Sequence, residues 1–217
     1  MGLKLNAITV FQPPDIQVRT EKDLPPHITF QQFQIIHQGL AGKMNQQILC
    51  GLVWDTGGRI NDVMALRWRD FDLDNGMLRM YIDKIDDTIS IPLGKNIIGE
   101  LKNYQSIVHP NRDDFLFSSN SKSGHVSRIA AYQMIVSWGV KFLGMTTKPP
   151  GNLHPHMFRH GLAIYLLYSS DLQGDLVGRL KIIAARLGHK TTTITERTYL
   201  VVTPELQRWA MKDVVMR

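Results

Sequence analysis

A single cysteine, Cys50, occurs in 217 residues. No disulfide can form within the chain and no thiolate cluster can hold a metal, so a reducing cytoplasm is the expected compartment. Long apolar runs are also lacking. The strongest, Ile48 to Trp54, is far too short to cross a bilayer, so no membrane partner is expected. Lys4 is followed by no apolar core with a cleavage site, and no export signal is expected. Internal repeats and low-complexity segments are absent. Acidic residues are outnumbered, 19 to 25, giving a net charge of +6. That moderate excess suits a polyanionic partner without identifying one.

Residues 1–26 are predicted to be an arm or linker. Leu3, Leu5, Ile8 and Val10 partly alternate, and Pro13-Pro14 and Pro25-Pro26 bar a continuous helix. From Thr29 the pattern turns helical. Thr29 reads as an N-cap with Gln32 as its capping-box partner, and Phe30, Phe33, Ile36 and Leu40 follow on one face. Residues 44–56, apolar on most sides, are predicted to be a central helix ended by Gly57-Gly58. A short helix from Ile60 to Leu66 has Arg59 at its opening, where backbone donors favour an anion.

Three strands are predicted next. Asn75-Gly76 signals a two-residue hairpin between Phe71–Leu73 and Met77–Ile82, and Asp86-Asp87 turns the chain into a third strand, Thr88–Pro92. Lys84 stands at the mouth of that second turn. Helices are expected over 95–107 and 127–143, the second with Ile129, Tyr132, Val136, Val140 and Leu143 on one face. The last third holds His154-Pro155-His156-Met157-Phe158-Arg159-His160, then Leu187-Gly188-His189, then Tyr199. Helices are expected over 156–168, up to Gly188, around Tyr199, and from Thr203-Pro204 onward. That last helix would carry Leu206, Trp209, Ala210 and Val214 on an apolar stripe that docks on its own domain or on a neighbouring protomer. The fold class is thus mainly α with a small antiparallel three-stranded β-sheet.

A tyrosine, two arginines and two histidines are what attack on a phosphodiester through a protein nucleophile requires. The tyrosine oxygen attacks phosphorus, and fixed cations meet the charge that builds on the phosphoryl oxygens. Arg59 and Arg159 offer planar forks for one phosphate. His156 and His189 can donate to it, and His156 is the candidate to accept the tyrosine proton. Asp62 is a candidate to orient an arginine. His154, His156 and His160 suggest a metal cluster, which the absence of carboxylate or thiolate partners nearby in sequence argues against.

Three stretches, 56–73 (TGGRINDVMALRWRDFDL), 154–160 (HPHMFRH) and 187–199 (LGHKTTTITERTY), together resemble the catalytic domain of tyrosine recombinases, the phage integrase family. The resemblance covers about 27–200, and the catalytic domain is expected to run over 27–217. Gly58 replaces a larger apolar residue, Asp62 a more usual Glu, and the stretch between Arg159 and His189 is several residues long, near 169–176. By resemblance, Tyr199 is the nucleophile of a 3′-phosphotyrosyl intermediate, and Lys84 is the general acid, with Lys95 the nearest competitor. The implied activity is site-specific recombination of double-stranded DNA, without metal or organic cofactor. A homo-multimer on paired sites is implied, monomeric without DNA. Type IB topoisomerase-like relaxation and an idle DNA-binding regulator of the same fold are the alternatives.

Overall fold

Helix α2 (Met44–Thr56) is the axis of the fold, because seven consecutive residues, Ile48 to Trp54, are buried on all sides of it. A helix apolar all round has no solvent face and must be wrapped. Helices α1 (Phe30–Gly39), α4 (Lys95–Val108) and α6 (Pro155–Tyr168) pack on it. The computed structural model describes residues 24–169, 175–189 and 191–199. Within it Pro25–Tyr199 form one unit.

Local chemistry sets the helix starts. Thr29 Oγ1 accepts from the Gln32 amide and Gln32 Oε1 from the Thr29 amide, the expected capping box of α1. Gly57 ends α2 in the left-handed region, φ 59°. The chain then turns through Arg59 into α3 (Ile60–Met64). Helix α6 opens with Pro155 in its first turn, where a missing N–H costs nothing. Its Gly161 lies against the Ile28 carbonyl and the Trp54 ring, and a Cβ there would run into both. That close approach seats α6 on α2.

The sheet is antiparallel, in the order β1 (Phe71–Asp72), β2 (Met77–Ile82), β3 (Asp87–Pro92). Its first turn corrects the sequence reading. Asp72 pairs with Met77, so four residues, 73–76, connect the strands rather than Asn75-Gly76 alone. Leu73 is buried, and the Asp72 carboxylate accepts from the Asn75 amide and side chain, which closes the wider loop. The second turn is likewise wider than Asp86-Asp87: Ile82 pairs with Asp87, so residues 83–86 connect the strands through a helical turn, Asp86 is left-handed at φ 52°, and Asp87 already belongs to β3.

Helix α5 (Arg128–Leu143) is where expected, but its buried face is not the predicted one. Ala131, Ile135, Trp138 and Gly139 face the core, whereas Ile129 is 66% and Val140 42% exposed. The helix is apolar nearly all round, so large side chains could not select the face. Small residues do: Gly139 packs where a Cβ would collide with Leu153.

Helices α7 (Leu176–Arg186) and α8 (Thr192–Tyr199) complete the described chain. With α6 they enclose a second, smaller core of Ala163, Leu167, Leu180, Ile183, Leu187 and Tyr199. The last residue of α7 is tied to two other elements. Arg186 Nε donates to the Asp55 carbonyl at 2.7 Å and Nη2 to the Pro92 carbonyl at 2.8 Å, while the Asp55 carboxylate accepts from the Gly94 amide at 2.6 Å. Most of the 1–26 arm, the 170–174 part of the long connection, and the apolar-striped helix from Thr203 lie outside the described residues.

Candidate active site

Arg159 is the hub of the site. It projects from the second turn of α6 and is 6% exposed. Its Nη1 donates to the Gly57 carbonyl at 2.7 Å, and Nη2 donates to the Leu187 carbonyl at 2.7 Å and to His189 Nε2 at 3.2 Å. Two carbonyls over a hundred residues apart in sequence are thereby joined by one guanidinium. Three of its five N–H groups are used and two remain uncommitted among the described residues. Burial pulls its pKa down to about 10, which leaves it cationic at neutral pH.

The His189 tautomer follows from this contact. Arginine can only donate, so Nε2 is the acceptor and Nδ1 carries the proton, which it gives to Thr195 Oγ1 at 2.9 Å. Partial burial first, then Arg159, Arg59 and Lys84, push His189 down to about 4. Lys84 is therefore near enough for its charge to be felt at His189, although it is exposed, in the helical turn Asp83–Ile85. An open groove between β3 and α7 has Ile85, Ile89, Gly188 and His189 in its walls.

Arg59 enters from the junction between α2 and α3. Its Nη1 is buried without a hydrogen-bond partner among the described residues. A buried donor of that kind needs an acceptor, and an anion brought to the site would supply one. Asp62, one turn on, is 8% exposed, and its Oδ2 is likewise without a partner. Burial raises its carboxyl pKa, against the opposing pull of Arg59, the Asp83 amide and Arg159. It lies in the field of both arginines without a hydrogen bond to either among the described residues.

His156 is at the surface, one turn before His160 on the same face of α6, with ring centroids 6.2 Å apart. Desolvation, then Arg159, His154 and Arg59, disfavour its charged form. Tyr199, at the end of α8, is 1% exposed. Its hydroxyl meets His160 Nδ1 at 2.8 Å, and Tyr168 donates to its backbone carbonyl at 2.8 Å. Burial pushes the phenol up to about 12. Of the residues singled out from sequence, Arg59, Arg159, His189 and Asp62 share this centre, with Lys84 at its edge. His160 and Thr195 went unrecognised as site partners. The i, i+4 spacing from His156 is the available signal for His160, which the sequence alone raises only as part of a metal cluster that it then argues against.

The depressed histidines give a pH prediction. His160, like His189, is held near 4, by burial and then by His156, Arg159, His154 and His27. Folded pKa values below the ordinary 6.5 mean that this stabilisation is complete above pH 6.5 and is lost as pH falls towards 4. Asp55 and Asp62, raised by burial, act in the opposite sense, since protonation relieves them. The melting midpoint is expected to drop between pH 6.5 and 4, and to drop less in His160→Asn. A His160→Asn midpoint that drops as far as the wild-type one would show that the His160 ring is not depressed.

The model of the phage integrase family matches residues 27–205. A probable integrase/recombinase protein of Methanocaldococcus jannaschii is 30% identical over 165 residues, covering 75% of this chain and 47% of that protein. Tyrosine recombinase XerC of Xanthomonas axonopodis pv. citri is 29% identical over 153 residues, covering 70% and 46%. The chain thus spans about half the length of the curated relatives it matches. Among solved structures, XerA recombinase superposes with a TM-score of 0.69 at 19% identity, covering 89% of this chain and 66% of that one. XerH site-specific recombinase bound to its difH substrate gives 0.68 at 20%, covering 92% and 56%. At these identities the structures show a common fold.

Proposed function

Since the chain belongs to the phage integrase family, we propose that it is a site-specific DNA recombinase working through a 3′-phosphotyrosyl intermediate on Tyr199. The observation that carries this reading is the convergence on Arg159 of the Gly57 carbonyl, the Leu187 carbonyl and His189. Gly57 belongs to the first of the three stretches that carry the family pattern, Arg159 to the second, and Leu187 and His189 to the third, and Arg59 Nη1 is buried without a partner among the described residues.

In this reading Arg59 and Arg159 hold the non-bridging oxygens of the scissile phosphate, His156 adds a donor to it, and His189 adds one once its ring is released from Arg159 or Thr195. The Tyr199 oxygen attacks phosphorus, His156 takes the phenolic proton, and the 5′-oxygen leaves with a proton from Lys84. Asp62 steadies the arginine pair. The phosphotyrosyl bond conserves the energy of the broken phosphodiester, so religation calls for no ATP, metal or organic cofactor. The substrate is double-stranded DNA. A homo-multimer on paired sites is the working unit, because strand exchange takes four cleavages. We place the catalytic domain at 27–217, with 1–26 as an arm, and the protein in the cytoplasm with its DNA. Among the described residues no helix is long and apolar enough to cross a membrane.

A duplex carrying a nick beside the scissile phosphate tests the reading. Loss of the short fragment should trap a complex that survives denaturant, and peptide mapping should find the nucleotide on Tyr199. A bound duplex that never becomes covalent would leave only the idle regulator. Supercoil relaxation and two-site recombination assays, run in parallel, separate a recombinase from a topoisomerase.

A further inference from the structure

The proposed nucleophile is out of reach of DNA as the chain stands. Tyr199 is 1% exposed, and its phenol lies among Ala163, Leu167, Leu180, Ile183 and Leu187. All of these are apolar, so they leave the hydroxyl no partner. A buried hydroxyl without a partner is costly. Among the described residues the one polar group on it is His160 Nδ1 at 2.8 Å, the two rings lying 5.7 Å apart at 57°.

We propose, resting on the recombinase reading above, that His160 is a positioning residue: it accepts the phenolic hydrogen bond and seats Tyr199 in the interior, so that attack on DNA begins with the loss of that bond.

Hydrogen-bond bookkeeping sets the direction. If Nδ1 carried the proton, the phenolic hydrogen would have no acceptor among the described residues. With Nδ1 bare, the hydroxyl donates to it and the proton sits on Nε2, so both atoms of the contact are satisfied. Partial burial first, and then the positive or potentially positive groups of His156, Arg159, His154 and His27, keep the ring neutral. Magnitudes then decide between holding the phenol and deprotonating it. Burial pushes the phenol up to about 12 and the imidazole down to about 4, so proton transfer within the seated pair is strongly disfavoured. The contact therefore restrains the nucleophile, and the proton leaves by another route once the phenol has moved.

Single-turnover adduct formation on the nicked duplex, at saturating protein, is the test. His160→Leu fills similar space but offers no acceptor, and it penalises only the seated state. Adduct formation should rise roughly tenfold, the usual worth of stranding a buried hydroxyl. His160→Asn puts Oδ1 close to the position of Nδ1 and should return the rate towards wild type. Tyr199→Phe, run alongside, reports on the nucleophile itself: an adduct there sinks the recombinase assignment, whatever the His160 variants do. With Tyr199 confirmed, an unchanged or slower rate in folded His160→Leu overturns the seating role. Should that variant not fold, the ¹⁵N spectrum of wild-type histidines decides. The Nδ1 signal of His160 should be that of a bare acceptor nitrogen and should move in Tyr199→Phe, and a signal indifferent to that change overturns the proposal.

Discussion

Tyr199→Phe is expected to abolish the covalent adduct completely while the protein still folds and binds a single DNA site. No atom of phenylalanine can bond phosphorus, so the loss is of a reaction rather than of a fraction of its rate. The rest of the residue changes little. The ring keeps its apolar seat between α6, α7 and α8. What disappears is one hydrogen bond to His160, a net stabilisation of about 0.5–1.5 kcal/mol, with a somewhat larger cost if Nδ1 is left bare. That is tolerable for a domain with a large separate core around α2. Denaturing gels of the trapped complex, paired with fluorescence anisotropy on the same duplex, measure the two halves of the expectation. An adduct that persists in the variant places the nucleophile elsewhere. A variant that cannot bind at all would mean that the phenol organises the DNA-contacting surface.

Lys84→Ala is expected to slow cleavage by ~10²–10⁴, the usual worth of a positioned proton donor. The side chain is exposed, in the Asp83–Ile85 turn between β2 and β3, so its removal strands nothing and should leave stability nearly unchanged. Its charge is nonetheless felt at His189, across the mouth of the site. The diagnostic is chemical. A substrate with sulfur at the bridging 5′ position has a leaving group that needs no proton, so it should restore the variant to near the wild-type rate. Lys95, in the first turn of α4, is the control. If sulfur rescues Lys95→Ala and not Lys84→Ala, the acid is Lys95.

Much of this architecture could be read from the residues, and the failures have physical causes. The capping box of α1, the central burial of α2, the three strands and α6 all rest on local signals that tertiary packing reinforces. The buried face of α5 could not be read, since an all-round apolar helix carries no directional pattern and Ala131 and Gly139 count for little on a hydropathy scale. The first turn widened because Leu73 gains more by burial than Asn-Gly gains by its preferred geometry. At the site, the residues proposed to meet a phosphate are legible as residue types in order. The groups that hold them are not. Leu187 and Gly57 act through backbone carbonyls, which have no sequence signature. His160 acts through a partner 39 residues away.

The Arg186 tie has a mechanical consequence for Tyr199. With one guanidinium spanning the end of α2 and the end of β3, the C-terminal end of α7 is an abutment, fixed to the body of the domain. A load on the chain beyond it is resisted there and cannot be relieved by sliding α7. Displacement of Tyr199 is left to the segment after Leu187, where Gly188 sits at φ 62°, in the left-handed region that favours glycine. The lever arm is then α8 alone, eight residues and about 12 Å at 1.5 Å per residue. On an arm of that length, a swing of about 30° carries its tip roughly 6 Å, far enough to lift a phenol from a buried seat, at the cost of its bonds to His160 and Tyr168 on α6.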